Sequence, residues 1–257
     1  MEKNVLLTIE YDGTAFSGWQ RQPDKRTVQG ELERVLSVLC AQEIKINGTS
    51  RTDAGVHAFG QCASFKAEYG IPVERIPEAA NSLLAESKLT SGDVRILSAT
   101  VMPDDFHARY DCRGKKYIYR ISSGRKPSVF KKNTAYQIEG DLDLALMREA
   151  AKHIVGTHDF KCFQASGGEE KETTVRTIFS LDIDEKETGD IAISIVGDGF
   201  LYNMVRIITG TLVEVGLGKR APQSVKDTIE SLDRQKAGHT APPQGLYLAE
   251  IYFEDFV

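Results

Sequence analysis

The chain has 257 residues, of which 41% are hydrophobic and 27% charged, an ordinary balance that calls for one large or two smaller globular units with ample sequence for a core. No apolar run reaches the roughly 18 residues a membrane span requires, and the opening Met1-Glu2-Lys3-Asn4 lacks the apolar core of a signal peptide, so a cytoplasmic protein without membrane association is expected. The net charge of −5 argues against a nucleic-acid partner when taken alone, and Cys40, Cys62, Cys112 and Cys162 contain no Cys-x-x-Cys pair, which disfavours a zinc site or a disulfide framework and predicts reduced, mostly buried thiols.

Val5 to Tyr11 is strand-like, and Asp12-Gly13-Thr14 is a turn signal. Val28, Leu32, Val35, Leu36 and Leu39 then fall at helical spacing, predicting a helix over 28–40 with Thr27 as N-cap. Ile44 and Ile46 flank Lys45 in a strand pattern over 43–47, and 61–66 reads as another strand. Between them runs Ser50-Arg51-Thr52-Asp53-Ala54-Gly55-Val56-His57-Ala58-Phe59-Gly60-Gln61, where Asp53 sits near a cation, a hydroxyl and a flexible glycine. Arg51 and Asp53 are two apart, so an extended segment puts both side chains on one face. An isolated Arg-x-Asp is most often a solvated, weak surface pair. The surrounding string instead points to a placed carboxylate.

A second helix is expected over 72–84 and a strand over 94–101. From His107 to Lys132, nine cations (Arg109, Arg113, Lys115, Lys116, Arg120, Arg125, Lys126, Lys131 and Lys132) meet a single acid, Asp111. Such asymmetry allows a local basic face on an acidic protein, and local potential attracts a phosphate backbone. The interleaved Tyr110, Tyr117 and Tyr119 favour nucleic acid over a merely solvated strand, because bases stack on such rings. Within this stretch 116–121 is a strand on which Tyr117 shares a face with Tyr119.

A second round of elements follows: a helix over 142–154, strands around 174–183 and 191–196, a short helix over 223–233 and a final strand over 246–253. Between them, 200–215 reads as a mostly buried helix, with Leu201, Met204, Val205, Ile208, Leu212 and Val215 as its stripe. Arg206 lies beside that stripe, either turned to solvent or in need of a carboxylate partner. Strands and helices mixed without regular alternation predict an α+β fold with antiparallel sheet. The two rounds suggest a duplicated half, with a boundary near 102–110 that divides the chain into 1–105 and 106–257.

Several strings, in this order, resemble the TruA family of tRNA pseudouridine synthases nearly end to end. They are Glu10-Tyr11-Asp12-Gly13-Thr14 through Gly18-Trp19-Gln20-Arg21-Gln22, Thr27-Val28-Gln29, Arg51-Thr52-Asp53-Ala54-Gly55-Val56-His57-Ala58, Phe106-His107-Ala108-Arg109, Lys116-Tyr117, Asn203-Met204-Val205-Arg206 and Gly245-Leu246-Tyr247-Leu248. Ser50 departs from the pattern, standing where many relatives carry glycine before the arginine. The resemblance implies the pseudouridine synthase fold, two similar α/β halves with antiparallel sheets meeting at a central basic cleft, usually in a homodimer whose two subunits both touch the tRNA. It implies Asp53 as catalytic nucleophile or base, Tyr117 as the ring that stacks on the target base, and Arg206 as the arginine that pairs with Asp53. Arg51 is implied to help hold the flipped-out nucleotide, and Leu246 to form an apolar wall of the pocket. The reaction implied is isomerisation of uridine to pseudouridine at positions thirty-eight to forty of the tRNA anticodon stem-loop.

Such a reaction breaks the N1–C1′ bond, turns the uracil and joins C5 to C1′, so it consumes no external group and calls for no cofactor. It needs an anionic group near C1′, C2′ or C6, which a carboxylate held ionised by an arginine supplies. A stem base must also be flipped out, at a cost of about a few kcal/mol, which Arg51 and the basic segment offset through phosphate contacts. His57 and His107 show no metal-ligand spacing and are expected to fix loops or touch phosphate. His158-Asp159 lacks the Gly-x-Ser-x-Gly of a hydrolase. For Trp19, core packing and a place in the cleft are both open. Two other functions compete: a non-catalytic RNA-binding module, which would not require Asp53, and a nucleoside or glycoside hydrolase, which would need a second carboxylate about 5–10 Å from Asp53.

Overall fold

Alternating burial at Val5, Leu7, Ile9 and Tyr11 gives the first strand, β1 (Lys3–Tyr11), of a computed structural model that describes residues 2–86, 92–126, 128–167 and 172–254. After β1 come α1 (Val28–Cys40), β2 (Asn47–Gly48), β3 (His57–Ala67), α2 (Ile76–Glu86) and β4 (Val94–Met102). Helix α1 starts where the Thr27 hydroxyl accepts from the Gly30 N–H at 3.3 Å, and Val28, Leu32, Val35 and Leu36 form its buried stripe. Its bounds are those the periodicity predicts.

The strand expected over 43–47 is corrected. Ile44 and Ile46 are buried as the pattern requires, but their N–H groups donate to the Ser37 hydroxyl (2.9 Å) and a Glu33 carboxylate oxygen (3.1 Å) of α1. Side chains of the helix thereby take the place of a strand ladder. Only Asn47 and Gly48 pair, with Ser64 and Ala63 of β3. The helix expected from residue 72 begins with a 3-10 turn, Val73–Arg75, before α2.

The next elements are β5 (Gly114–Gly124), β6 (Tyr136–Glu139), α3 (Leu144–Ala151), β7 (Gly156–Asp159), β8 (Val175–Glu187), β9 (Asp190–Gly197), α4 (Met204–Gly216), α5 (Ser224–Ser231) and β10 (Leu246–Tyr252). Strands β6 and β7, four residues each, are too short to show a period and go unread in the sequence. Helix α4 begins later than its apolar stripe suggests, because Asn203 adopts a left-handed conformation (φ 59°). Leu201 therefore lies in the turn before α4, where its carbonyl accepts from the Met204 N–H.

These elements divide into two units, Met1–Arg113 with Tyr247–Val257, and Gly114–Leu246. The expected division into 1–105 and 106–257 is thereby corrected at both ends. Residues 106–113 stay with the first unit because Asn4 donates to Phe106 O (2.7 Å), Thr49 to Ala108 O (3.0 Å), and Ala108 N–H to the Ser64 hydroxyl (3.1 Å). The chain end returns there because β10 pairs in parallel with β3, Tyr247 opposite His57 and Leu248 opposite Ala58.

In the first unit the strand order is β4-β1-β3-β10, with β1 antiparallel to both β3 and β4. Since β1 occupies one edge of β3, β2 and β10 share its other edge, at opposite ends. Helix α2 packs on β4 and α1. In the second unit the order is β5-β9-β8-β7, antiparallel throughout, with β6 parallel to β5. Tyr117, Tyr119 and Ile121 of β5 lie opposite Ile195, Ile193 and Ile191 of β9, and all six are buried. Each unit is thus α+β, with a mainly antiparallel sheet and one parallel pair.

Candidate active site

The loop joining β2 to β3 carries Arg51 and Asp53, and its backbone is held from the protein interior. Gln61 of β3 is fully buried, and its amide acts on Ser50 as a neighbouring strand would. Its Oε1 accepts from the Ser50 N–H (3.3 Å) and the Cys62 N–H (3.2 Å), while Nε2 donates to Ser50 O (2.7 Å). Ser50 does not adopt a left-handed φ, so the departure from glycine asks nothing unusual of the backbone. Next along, Thr52 is buried, its hydroxyl 2.7 Å from that of Tyr11, and its carbonyl accepts from the Trp19 N–H at 3.0 Å. A turn follows, closed by the Val56 N–H donating to Asp53 O at 3.1 Å, with Gly55 at φ 79°.

Burial alternates along this loop as in an extended segment: Arg51 is exposed, Thr52 buried and Asp53 half-exposed. The segment from Tyr11 to Trp19 backs it. Gly18 has φ 88°, and a Cβ there would lie 2.7 Å from Thr52 O, so only glycine allows the approach. Trp19, 1% exposed, is core, which decides between its two readings. The Gly13 N–H donates to His57 Nδ1 at 3.1 Å, and the His57 ring stacks on Tyr247 with centroids 4.6 Å apart. Asp12 lies 3.2 Å from the same nitrogen. Burial pushes the Asp12 carboxyl up, but the hydrogen bonds from the Thr14 hydroxyl and N–H, with the neighbouring His57 ring, hold it below the usual carboxylate range. His107 likewise fixes a turn, accepting from the Arg109 N–H at 3.1 Å.

Tyr117, Arg206 and Leu246 lie in the second unit. Tyr117 is 7% exposed, its ring edge-on to Phe200 with centroids 5.1 Å apart. Arg206, in the first turn of α4, donates from Nε to Ala241 O and from one Nη to Asn203 Oδ1, both at 2.7 Å. Its backbone carbonyl accepts from the Ala241 N–H at 3.0 Å. Neutral oxygens, which the sequence does not flag, thus engage part of this guanidinium. Just beyond, the Tyr119 hydroxyl donates to Pro242 O at 2.6 Å, and a Cβ on Gly245 would lie 2.6 Å from the Tyr119 ring. Arg206 and Tyr119 thereby bracket the segment that ends at buried Leu246.

Tyr119 is fully buried, so its expected part as a base-stacking ring is corrected to one of core and anchor. Of the nine cations in the basic stretch, Arg109 and Arg113 belong to the first unit and the others to the second. Thr52, Gln61, Gly18 and Asn203 are the supporting residues that sequence reasoning missed. A lone glutamine within the largely apolar run of β3 was the available signal for Gln61.

Among the described residues, no group of three or more His, Cys, Asp or Glu is placed to hold a metal ion, and no helix is long and apolar enough to cross a membrane. The four cysteines lie outside any disulfide; Cys62 and Cys162 are buried, and Cys40 and Cys112 half-buried. Burial pushes the Cys62 thiol up to about 11 and the Cys162 thiol up to about 12, far from a reactive thiolate. Asp159 accepts from the Lys161 N–H and the Thr174 hydroxyl, a local turn in place of a triad.

A family model described as tRNA pseudouridine synthase matches residues 7–111 and 150–254. The chain is 46% identical over 255 residues to tRNA pseudouridine synthase A 2 of Clostridium tetani, an alignment covering 98% of this chain and 100% of that one. It is also 46% identical over 253 residues to tRNA pseudouridine synthase A of Bacillus subtilis, covering 98% and 99%. Among solved structures, a chain of a Cbf5-Nop10-Gar1 complex matches at 12% identity with a TM-score of 0.36, covering 81% of this chain and 54% of that one, too slight a likeness to bear weight.

Proposed function

Because the chain belongs to the tRNA pseudouridine synthase family, we propose that it isomerises uridine to pseudouridine at positions thirty-eight to forty of the tRNA anticodon stem-loop, with Asp53 as nucleophile or base. Asp53 supports this reading most directly. Its carboxylate stands half-exposed on a turn whose neighbours, Ser50 and Thr52, are fixed by buried hydrogen bonds, so it is presented to a substrate without freedom to drift. A non-catalytic RNA-binding module has no need of such a mounting.

In the proposed reaction the N1–C1′ bond breaks, the uracil turns while retained, C5 bonds to C1′, the C5 hydrogen leaves as a proton, and N1 takes up a proton. Atoms and electrons balance without a cofactor. Arg206 is proposed to pair with Asp53 and keep it ionised, Tyr117 to stack on the target base, Arg51 to hold the flipped-out nucleotide and Leu246 to wall the pocket. The proposed partners are tRNA and a second copy of the chain, in the cytoplasm.

Tritium release from a tRNA transcript labelled at uridine C5 tests the reaction. Release with retention of the base in the RNA is expected. Loss of free uracil without release would convert the reading to a hydrolase, and tRNA binding without either would leave a binding module.

A further inference from the structure

The turn between β5 and β6 carries the two most exposed large apolar side chains among the described residues, Phe130 at 91% and Val129 at 76%. The turn itself is tied down. The Lys131 N–H donates to Ser128 O (3.0 Å), and the Thr134 and Ala135 N–H groups donate to Lys131 O (3.1 and 3.0 Å). The Gln137 amide donates to Ser128 O, and Lys131 Nζ lies 3.1 Å from the Asp190 carboxylate. A 3-10 turn, Val129–Lys131, therefore presents a ring to solvent from a fixed base. Arg125, Lys126 and Lys132 flank it along the chain, all exposed, and the sequence places no acid between 125 and 132.

We propose that this turn is an RNA docking point, at which Phe130 stacks on an unpaired base and Arg125, Lys126 and Lys132 meet the flanking phosphates. It rests on the reading of the chain as a tRNA-modifying enzyme and extends it to a surface that none of the residues assigned to the reaction occupies. Charge selects the occupant. Exposed cations on the same turn as an exposed aromatic ring match a polyanion whose bases each offer a flat face, with no demand on sequence. A second copy of the chain meeting the same patch across a two-fold axis would set like charges against each other.

Steady-state kinetics with an unmodified tRNA transcript and the full chain test the proposal. Phe130→Ala is expected to raise KM roughly tenfold, as loss of one stacked base predicts, with kcat within about twofold of wild type; Phe130→Tyr should keep the wild-type KM. Trp19 is the only tryptophan and is buried, so Phe130→Trp adds a solvent-facing emitter that tRNA should quench at the concentration where it binds. A wild-type KM in Phe130→Ala, or an introduced indole that tRNA leaves unquenched, would overturn the docking point. So would emission that changes with protein concentration alone, which would give the patch to a second copy. Tritium release by the wild type, run in parallel, separates the two readings: no release with quenching intact sinks the isomerase alone, and release without quenching sinks the docking point alone.

Discussion

At the scale of single residues, the loop around Asp53 separates chemistry from support. Asp53→Asn keeps the shape of the side chain and removes its capacity as nucleophile or base, so turnover should vanish while tRNA affinity stays near wild type. Tritium release and filter binding on the same preparation check this, and residual turnover above a few per cent would remove Asp53 from the chemistry. Gln61 acts one step back. Gln61→Leu leaves the Ser50 N–H and carbonyl and the Cys62 N–H without their buried partner, at a cost of about 1–3 kcal/mol per unsatisfied group. Urea unfolding should register a loss of at least about 2 kcal/mol, and kcat should fall more than KM rises, because a loosened Ser50 lets Asp53 move. An unchanged unfolding midpoint would show that the amide does not hold the loop.

Among elements, the tie between α4 and the 234–246 segment sets where Arg206 and Leu246 sit. Glu214 of α4 accepts from the His239 N–H and from His239 Nδ1, both at 3.0 Å, and meets Arg220 Nε at 3.1 Å. Burial pushes its carboxyl up, yet the His239 hydrogen bonds and the Arg220 charge hold it below the usual carboxylate range. A carboxyl lowered in the folded state contributes stability that is complete above its unfolded value, about 4.3 for glutamate, and lost as pH falls through the lowered folded value. Glu214→Gln should therefore lower stability by about 1–2 kcal/mol at neutral pH, and the gap to wild type should close in acid; a gap independent of pH would contradict the linkage. Gly245→Ala acts on the same segment from its other end. Its Cβ would meet the Tyr119 ring at 2.6 Å and Arg120 O at 2.8 Å, overpacking that costs about 1–3 kcal/mol. Thermal unfolding should show the loss, and wild-type stability would mean that Tyr119 swings aside.

For the whole molecule, the question is how a chain of net charge −5 holds a polyanion. The cations of 107–132 lie in both units, so tRNA affinity should depend on salt through contacts to each. Neutralising Lys115, Lys116, Arg125 and Lys126 should reduce the slope of log affinity against log salt by up to about 3.6, at roughly 0.7–0.9 per lost phosphate contact, while kcat on saturating tRNA holds. An unchanged slope would remove these residues from the docking face. In the proposed dimer, the four neutralised residues can be placed in the subunit that carries Asp53→Asn or in its partner. Equal activity of the two arrangements would exclude a grip across subunits by these residues.

The features legible in the order of residues are local. Helix α1 is legible to its end residues because a cap and a 3.6-residue apolar stripe lie within thirteen consecutive positions. The faces of β5 follow from alternation alone, and an ordered string of small and polar residues marks the loop of Asp53 without showing that Gln61 and Thr52 hold it. Tertiary structure decided whatever depends on the partner across a gap in sequence. Residues 43–47 carry a strand pattern, but Glu33 and Ser37 of α1 take their N–H groups. The last strand rejoins the first unit because its pairing partner is β3, some two hundred residues earlier. Tyr119 became an anchor and Phe130 an exposed ring, although both are aromatic residues among cations. Periodicity tells which side of an element is apolar, and only the folded chain tells what covers that side or leaves it open.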